Sequence, residues 1–413
     1  MRRRKKLLSL KLALRYAAKR IWRSPLPCAA LAAVSFAFIL MLQELGGMLA
    51  QKRESLDALY RELPVNCTVS DATGTQTDGL FCGGVYLSAC TDAEHYPLAR
   101  LVKDVCFRRA IRYTCPAEEA AGEEISEDAE QQSKLNGITR IAAAPLLAAE
   151  HGAEITWLPG YDETVFESEL AVCLVPEDMA QYVEEGELSL VLSVEEYGKL
   201  ICTLPASFTV AGTYTGASRL IYCPWAAMSA LLGAEDCYVY ADSISFTAAD
   251  NYRLDELRRA ASVYFAVGAH FSSNVNKQQF ALTVHDSILK ASAATIRGDI
   301  RLLETLIPLL LVLSAGIGFA ASFLFMRSRR AEFAVMRSLG TSRTQVFLMA
   351  FAEQLSLTLL GMLPGFLAYG LWRGAPRNVG TACIYLACHM AGMAAATLLI
   401  MRTNVMEALG AKE

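Results

Sequence analysis

No acidic residue precedes Glu44, whereas ten Lys or Arg do. The chain has no GxxxxGK[ST], so it has no P-loop with which to bind ATP. It has no HExxH, GxSxG or protein-kinase signature either, which excludes the commonest zinc-protease, hydrolase and kinase sites. Its twelve cysteines include no CxxC pair, and its five histidines (95, 151, 270, 285 and 389) are scattered, none at metal-ligand spacing. No cofactor is expected, and no nucleic acid as a partner. Charge is sparse, with 19% of residues charged against 54% apolar, and mean hydropathy is +0.30.

That balance fits a membrane protein with a substantial soluble part. Four runs are long enough to cross a hydrocarbon core, which takes about 20 apolar residues in a helix: 26–48, 305–326, 347–372 and 381–401. The first exceeds a signal-peptide core and lacks a good small-x-small cleavage site, so it reads as an uncleaved anchor. The net charge of −4 hides an asymmetry. Residues 50–304 carry 19 Lys/Arg against 37 Asp/Glu, a net −18, and the remainder nets +14. Basic residues flanking short spans mark the cytoplasmic side. The expected architecture is four transmembrane α-helices with a large extracytoplasmic mixed α/β domain, 49–304, inserted between the first and second. Both termini are expected in the cytoplasm. Arg373 and Arg377, in the short outer loop, run mildly against the rule.

The basic segment 1–25 reads as an amphipathic helix on the inner leaflet, contacting lipid. Helical patterns after the first span (44–63) and before the second (286–303) suggest a stalk. Between them lie expected strands at 67–70, 84–88, 170–175, 188–192, 206–213 and 237–240, and helices at 93–103, 178–184 and 254–267. The acidic stretch 116–133 reads as a flexible surface loop. Nine cysteines fall in the outer segment. Cys82/Cys90 and Cys106/Cys115 have hairpin-like spacings, but sequence leaves open whether the thiols are bridged or all reduced. Small residues in the third span (Gly361, Gly365, Gly370) and the fourth (Gly392, Ala394 to Ala396) permit close packing within the chain or between copies. His389 is expected to hydrogen-bond a neighbouring helix, and Glu44 and Glu353 to be interfacial.

Segment 327–346 holds five arginines (Arg327, Arg329, Arg330, Arg337 and Arg343) against one acid, Glu332. Placing one arginine at mid-membrane costs about 2.5–3.5 kcal/mol, so the segment is a loop at the cytoplasmic surface. Within it Glu332, Phe333, Val335, Met336 and Leu339 recur at helical spacing, with Gly340 placed to end the helix.

The string from Arg330 to Val346, RAEFAVMRSLGTSRTQV, resembles the segment that joins the second and third spans in ABC-transporter permeases of the FtsX/MacB superfamily. Phe166–Val175, Glu185–Leu192, Phe208–Tyr214 and Ile221–Trp225 resemble that family's extracytoplasmic core. Asn404 to Leu409 resembles its P-x-E-A-L ending, with Val405 in place of proline. The resemblance implies a non-enzymatic permease subunit in a bacterial cell membrane. It would work with a separate ABC ATPase and a second permease half, as a homo- or heterodimer. ATP hydrolysis would then move the outer domain in the export or handling of a peptide, antibiotic or lipoprotein. The resemblance places Glu332, Arg337, Leu339, Gly340, Ser342 and Gln345 at the ATPase contact. An FtsX-like regulator of a cell-wall hydrolase is the alternative within the family, and a transmembrane sensor the alternative outside it.

Overall fold

The computed structural model describes residues 25–72, 80, 82–120, 131–148, 152–196, 199–216, 219–266, 280–328, 330–338, 340–373 and 379–401. The helix expected over 1–25 and the tail 402–413 lie, nearly or wholly, outside that set. Two compact units emerge: Met1–Leu59 with Ala291–Glu413, and Tyr60–Lys290.

In chain order the helices are α1 (Pro25–Glu62), α2 (Val85–Thr91), α3 (Pro116–Ala120), α4 (Trp225–Ala234), α5 (Leu254–Ala261), α6 (Ser287–Ser328), α7 (Arg330–Ser338), α8 (Arg343–Arg373) and α9 (Val379–Met401). Four of them, α1, α6, α8 and α9, are long and apolar enough to cross a membrane. Helix α1 opens with Pro25 and Pro27, in the first turn where backbone N–H groups have no intrahelical partner anyway.

At 1.5 Å per residue, the 38 residues of α1 and 42 of α6 run about 57 and 63 Å, roughly twice a hydrocarbon core. Beyond their apolar parts the two helices are tied by Lys52 Nζ to Asp299 Oδ2 at 2.8 Å and Arg53 Nη2 to Glu304 Oε1 at 2.7 Å. Such exposed pairs contribute at most about 1 kcal/mol each, so they set register more than they hold the helices together. Pro308 lies inside α6, where it denies the Glu304 carbonyl its helical partner. At the end of α8, Arg373 Nη2 donates to Glu44 Oε1 at 2.5 Å. Arg373, one of the two arginines that run against the charge rule, is thus paired within its own unit.

The small residues are used inside the chain. A Cβ on Gly361 of α8 would sit 2.0 Å from the Ala32 carbonyl oxygen of α1, and one on Gly392 of α9 would sit 2.1 Å from the Ala315 carbonyl oxygen of α6. These backbones meet closely because neither glycine carries a side chain.

The second unit is built on a ten-stranded sheet. Its strands are β1 (Asn66–Asp71), β3 (Val102–Thr114), β4 (Lys134–Ile138), β5 (Ile155–Trp157), β6 (Val172–Pro176), β7 (Glu187–Glu196), β8 (Lys199–Tyr214), β9 (Leu220–Pro224), β11 (Ser243–Ala248) and β12 (Phe280–Val284). The order is β12-β1-β11-β3-β4-β9-β6-β8-β5, and β7 pairs with both β3 and β8. Strands β3-β4-β9-β6-β8-β7 therefore return on themselves as a closed ring, with β4/β9 and β6/β8 parallel. Alternate residues point inward, as the period of two requires. Ile111 and Tyr113, Leu188 to Val194 in steps of two, Leu204 to Val210 likewise, and Ile221 with Cys223 fill the ring. A short ribbon of β2 (Cys82–Gly83) and β10 (Tyr240–Ala241) stands apart.

The mixed α/β class follows the pattern read from sequence, with local departures. Residues 85–91 form α2 rather than a strand, because Tyr86, Ala89 and Cys90 bury one helical face. The helix expected over 93–103 is absent: Pro97 leads into a single 3-10 turn and β3 begins at Val102. Cys106 and Cys115 lie on and just after one strand, nine residues apart and thus about 30 Å, too far to bridge. The acidic stretch is no free loop at its start. Glu118 in α3 is buried and ion-paired with Arg219 Nη2, and Arg219 Nε donates to Ser133 Oγ at 2.8 Å.

One carboxyl in this unit sets a pH dependence. Asp242 Oδ2 accepts the Ala110 N–H at 2.7 Å beside buried Arg109, whose guanidinium lies 3.7 Å from the Tyr240 ring centre. Burial pushes the Asp242 carboxyl up to about 6, against the pull of the Ala110 N–H and of Arg109 and Arg108. An unfolded aspartate titrates near 3.9, so between about pH 4 and 6 the folded state holds a proton that the unfolded state has released. Stability then falls as pH rises through that window, by at most about 2–3 kcal/mol, and stays lower above it. Asp242→Asn keeps the acceptor without the charge. Thermal melts of this variant should lose the downward step and exceed wild type near neutral pH, with no gain below about pH 4.

Candidate functional site

The segment between the second and third long helices is a helix and two caps. Helix α7 starts directly after α6 and rests on the membrane unit through Phe333, which packs with Phe323 against buried Met326, Ala350 and Ile400. Glu332 and Val335, the latter 55% exposed, occupy the outward face. An amphipathic strip of nine residues thus buries one side and presents the other.

The helix ends as the sequence dictates. Gly340 takes φ +91°, a backbone conformation in which a Cβ is strained, and Thr341 N–H donates to the Met336 carbonyl at 3.1 Å. This is the six-to-one bond of a Schellman cap. Two residues on, Ser342 and Gln345 cap α8 reciprocally. Gln345 N–H donates to Ser342 Oγ at 3.3 Å, and Ser342 N–H donates to Gln345 Oε1 at 3.2 Å. That S-x-x-Q capping box satisfies two N–H groups that would otherwise lack partners at a helix start.

Of the six residues that the sequence resemblance put at a partner contact, Gly340, Ser342 and Gln345 therefore shape the turn. Glu332 lies on the exposed face, Arg337 lies on α7 with its side chain outside the described set, and Leu339 is outside it altogether.

Above the turn, the long helices bury a polar layer that the sequence reading underweighted. Ser322 Oγ of α6 donates to Gln354 Oε1 of α8 at 2.8 Å, and Thr358 Oγ1 donates to the Gln354 carbonyl at 3.0 Å. Glu353 is buried, at 1% exposure, rather than interfacial. His389 of α9 meets the Ser314 carbonyl of α6 through Nδ1 at 3.2 Å, the neighbour-helix bond expected of it. The signal was present in the sequence, since polar residues inside apolar runs are functional or packing candidates by default.

Comparison with known proteins bears on this region. Residues 305–375, from the apolar half of α6 through α7 and α8, match the family model described as FtsX-like permease C-terminal. No curated protein sequence matches the chain. Among solved structures, the periplasmic region of MacB from Actinobacillus actinomycetemcomitans is similar at 11% identity over 55% of this chain and 92% of its own, with TM-score 0.31. The extracellular domain of the noncanonic ABC-type transporter YknZ from Gram-positive bacteria is similar at 10% identity over 53% of this chain and 99% of its own, with TM-score 0.28. With four membrane-length helices and a family match over residues 305–375, the chain carries a region similar to the C-terminal part of FtsX-like permeases.

Proposed function

We propose that the chain is one half of a permease powered by a separate cytoplasmic ABC ATPase, with α7 as the surface that receives the work. The supporting observation is the form of the turn. A short helix presents Glu332 and Val335 outward, is anchored by Phe333, and is joined to α8 through a Schellman cap and a capping box. Helix α7 can thus shift little without moving the base of α6 or α8. The residues of this chain include no P-loop, which fits energy arriving from an ATPase subunit, and the cluster of arginines supports a cytoplasmic position for this turn. The acidic segment 50–304 then lies outside, where it acts on a peptide, antibiotic or lipoprotein, and a second permease half completes the transporter.

The test is charge reversal on α7. Glu332→Arg combined with Arg337→Glu should lower ATPase activity stimulated by the chain by at least about tenfold, equivalent to about 1.4 kcal/mol of lost coupling. Membrane insertion and the amount of permease should not change. ATP-coupled activity equal to wild type in the double variant, assayed with the ATPase that co-purifies with the chain, removes α7 as the docking surface.

A further inference from the structure

Nine cysteines lie between Tyr60 and Lys290, and seven of them (67, 82, 90, 106, 115, 173 and 223) are buried. Burial pushes the Cys67 thiol up to about 11 and the Cys90 thiol up to about 12, and raises Cys82, Cys106, Cys173 and Cys223 as well. Such groups hold their protons and react slowly, because the thiolate is the nucleophile. Cys202 and Cys237 differ. Each is half-buried, packed on one side against the core of the strand ring and open on the other, and their sulfurs lie 3.2 Å apart.

Their positions are informative. Cys202 lies opposite Val194 near the tip of the β7–β8 hairpin, and Cys237 closes the turn after α4, its N–H donating to the Leu232 carbonyl at 3.0 Å. Non-covalent ties meet at the same place. Arg112 Nη2 pairs with Glu195 at 2.5 Å, and Tyr240 OH donates to the Glu195 carbonyl at 3.1 Å. The hairpin tip is thus already held against the body of the domain, and the two thiols need only about 1 Å of side-chain movement to reach bonding distance.

We infer that Cys202 and Cys237 form a dithiol site that exchanges with a disulfide donor, a low-molecular-weight or protein disulfide, to clamp the β7–β8 tip to the α4–β10 connection. One thiol loses its proton to water, and its thiolate attacks a donor sulfur, expelling one donor thiolate. The second cysteine, likewise deprotonated, attacks the mixed disulfide and expels the other. Two protein thiols are oxidised to one disulfide, and one donor disulfide is reduced to two thiols. This site concerns the fold of Tyr60–Lys290 and stands apart from the coupling role of α7.

The experiment uses the full chain, purified in detergent and equilibrated with oxidised and reduced glutathione, then labelled with a maleimide and mapped by mass spectrometry. Labelling of Cys202 and Cys237 should fall at least about tenfold, with a peptide pair linked through these two cysteines and two hydrogens lighter than its parts. In Cys202→Ser, Cys237 should carry maleimide or glutathione instead. The inference is overturned if both cysteines of the wild-type chain still label after exchange, or if each carries its own glutathione with no linked pair.

Discussion

Gly361→Val and Gly392→Val should each cost at least about 3 kcal/mol and leave a membrane unit that melts many degrees lower in detergent. The reason is geometric. At both positions the atom that an added Cβ would strike is a backbone oxygen, of Ala32 and Ala315, at 2.0 and 2.1 Å. A side chain in the way can rotate aside, but a carbonyl inside a helix moves only if the helix moves. Even Gly361→Ala should therefore be harmful. The built-in control is Gly316, on the same helix as Ala315, where a Cβ meets nothing within 4 Å. Gly316→Ala should be neutral or gain up to about 1 kcal/mol from helix propensity. Thermal unfolding followed by size-exclusion chromatography separates these outcomes. If the three variants melt together, the α1–α8 and α6–α9 approaches are not as close as described.

The second large effect is expected at Arg219. Its guanidinium pairs with Glu118, whose side chain is only 2% exposed, while its Nε donates to Ser133 Oγ and its carbonyl accepts the Tyr113 hydroxyl at 3.1 Å. Arg219→Leu leaves Glu118 buried without its charge partner, which typically costs about 3–5 kcal/mol. The discriminating variant is Arg219→Leu with Glu118→Leu, which removes both charges together. Because desolvating two ions offsets much of their attraction, the double variant should recover most of the lost stability. Denaturant unfolding of the single and double variants gives the answer. A double variant as unstable as the single one would mean that the loss comes from packing around the arginine stem and not from the stranded carboxylate.

Much of this was legible in the sequence because the signals were long or periodic. The four apolar runs and the helix-then-glycine pattern at 330–340 are of that kind, and the structure places Gly340 where the pattern put it. Strand β7 announced itself through the alternation of Leu188, Leu190 and Leu192. What failed had competing signals. Val85 and Tyr86 favour strands by composition, yet the burial of Tyr86, Ala89 and Cys90 at helical spacing prevailed. Ring closure by β7 was not legible, because pairing one strand with both β3 and β8 is a long-range choice that no local pattern encodes. The same holds for Cys202 and Cys237, which fold together from 35 residues apart while the closer-spaced Cys106 and Cys115 are held apart by one straight strand. At the turn between α7 and α8, Ser342 and Gln345 carried a motif that local geometry explains: their spacing is that of a capping box, and the two bonds of such a box are present.

Pro308 gives α6 a particular mechanical character. A continuous helix stores bending strain along its whole length, because every turn is stiffened by the same ladder of bonds. In α6 that ladder is missing a rung between the Glu304 carbonyl and position 308. Bending therefore gathers at this one turn, at the level where Arg53 reaches across from α1 to Glu304. Below it and above it, α6 behaves as two stiff rods, and the angle between them is the soft coordinate of the helix.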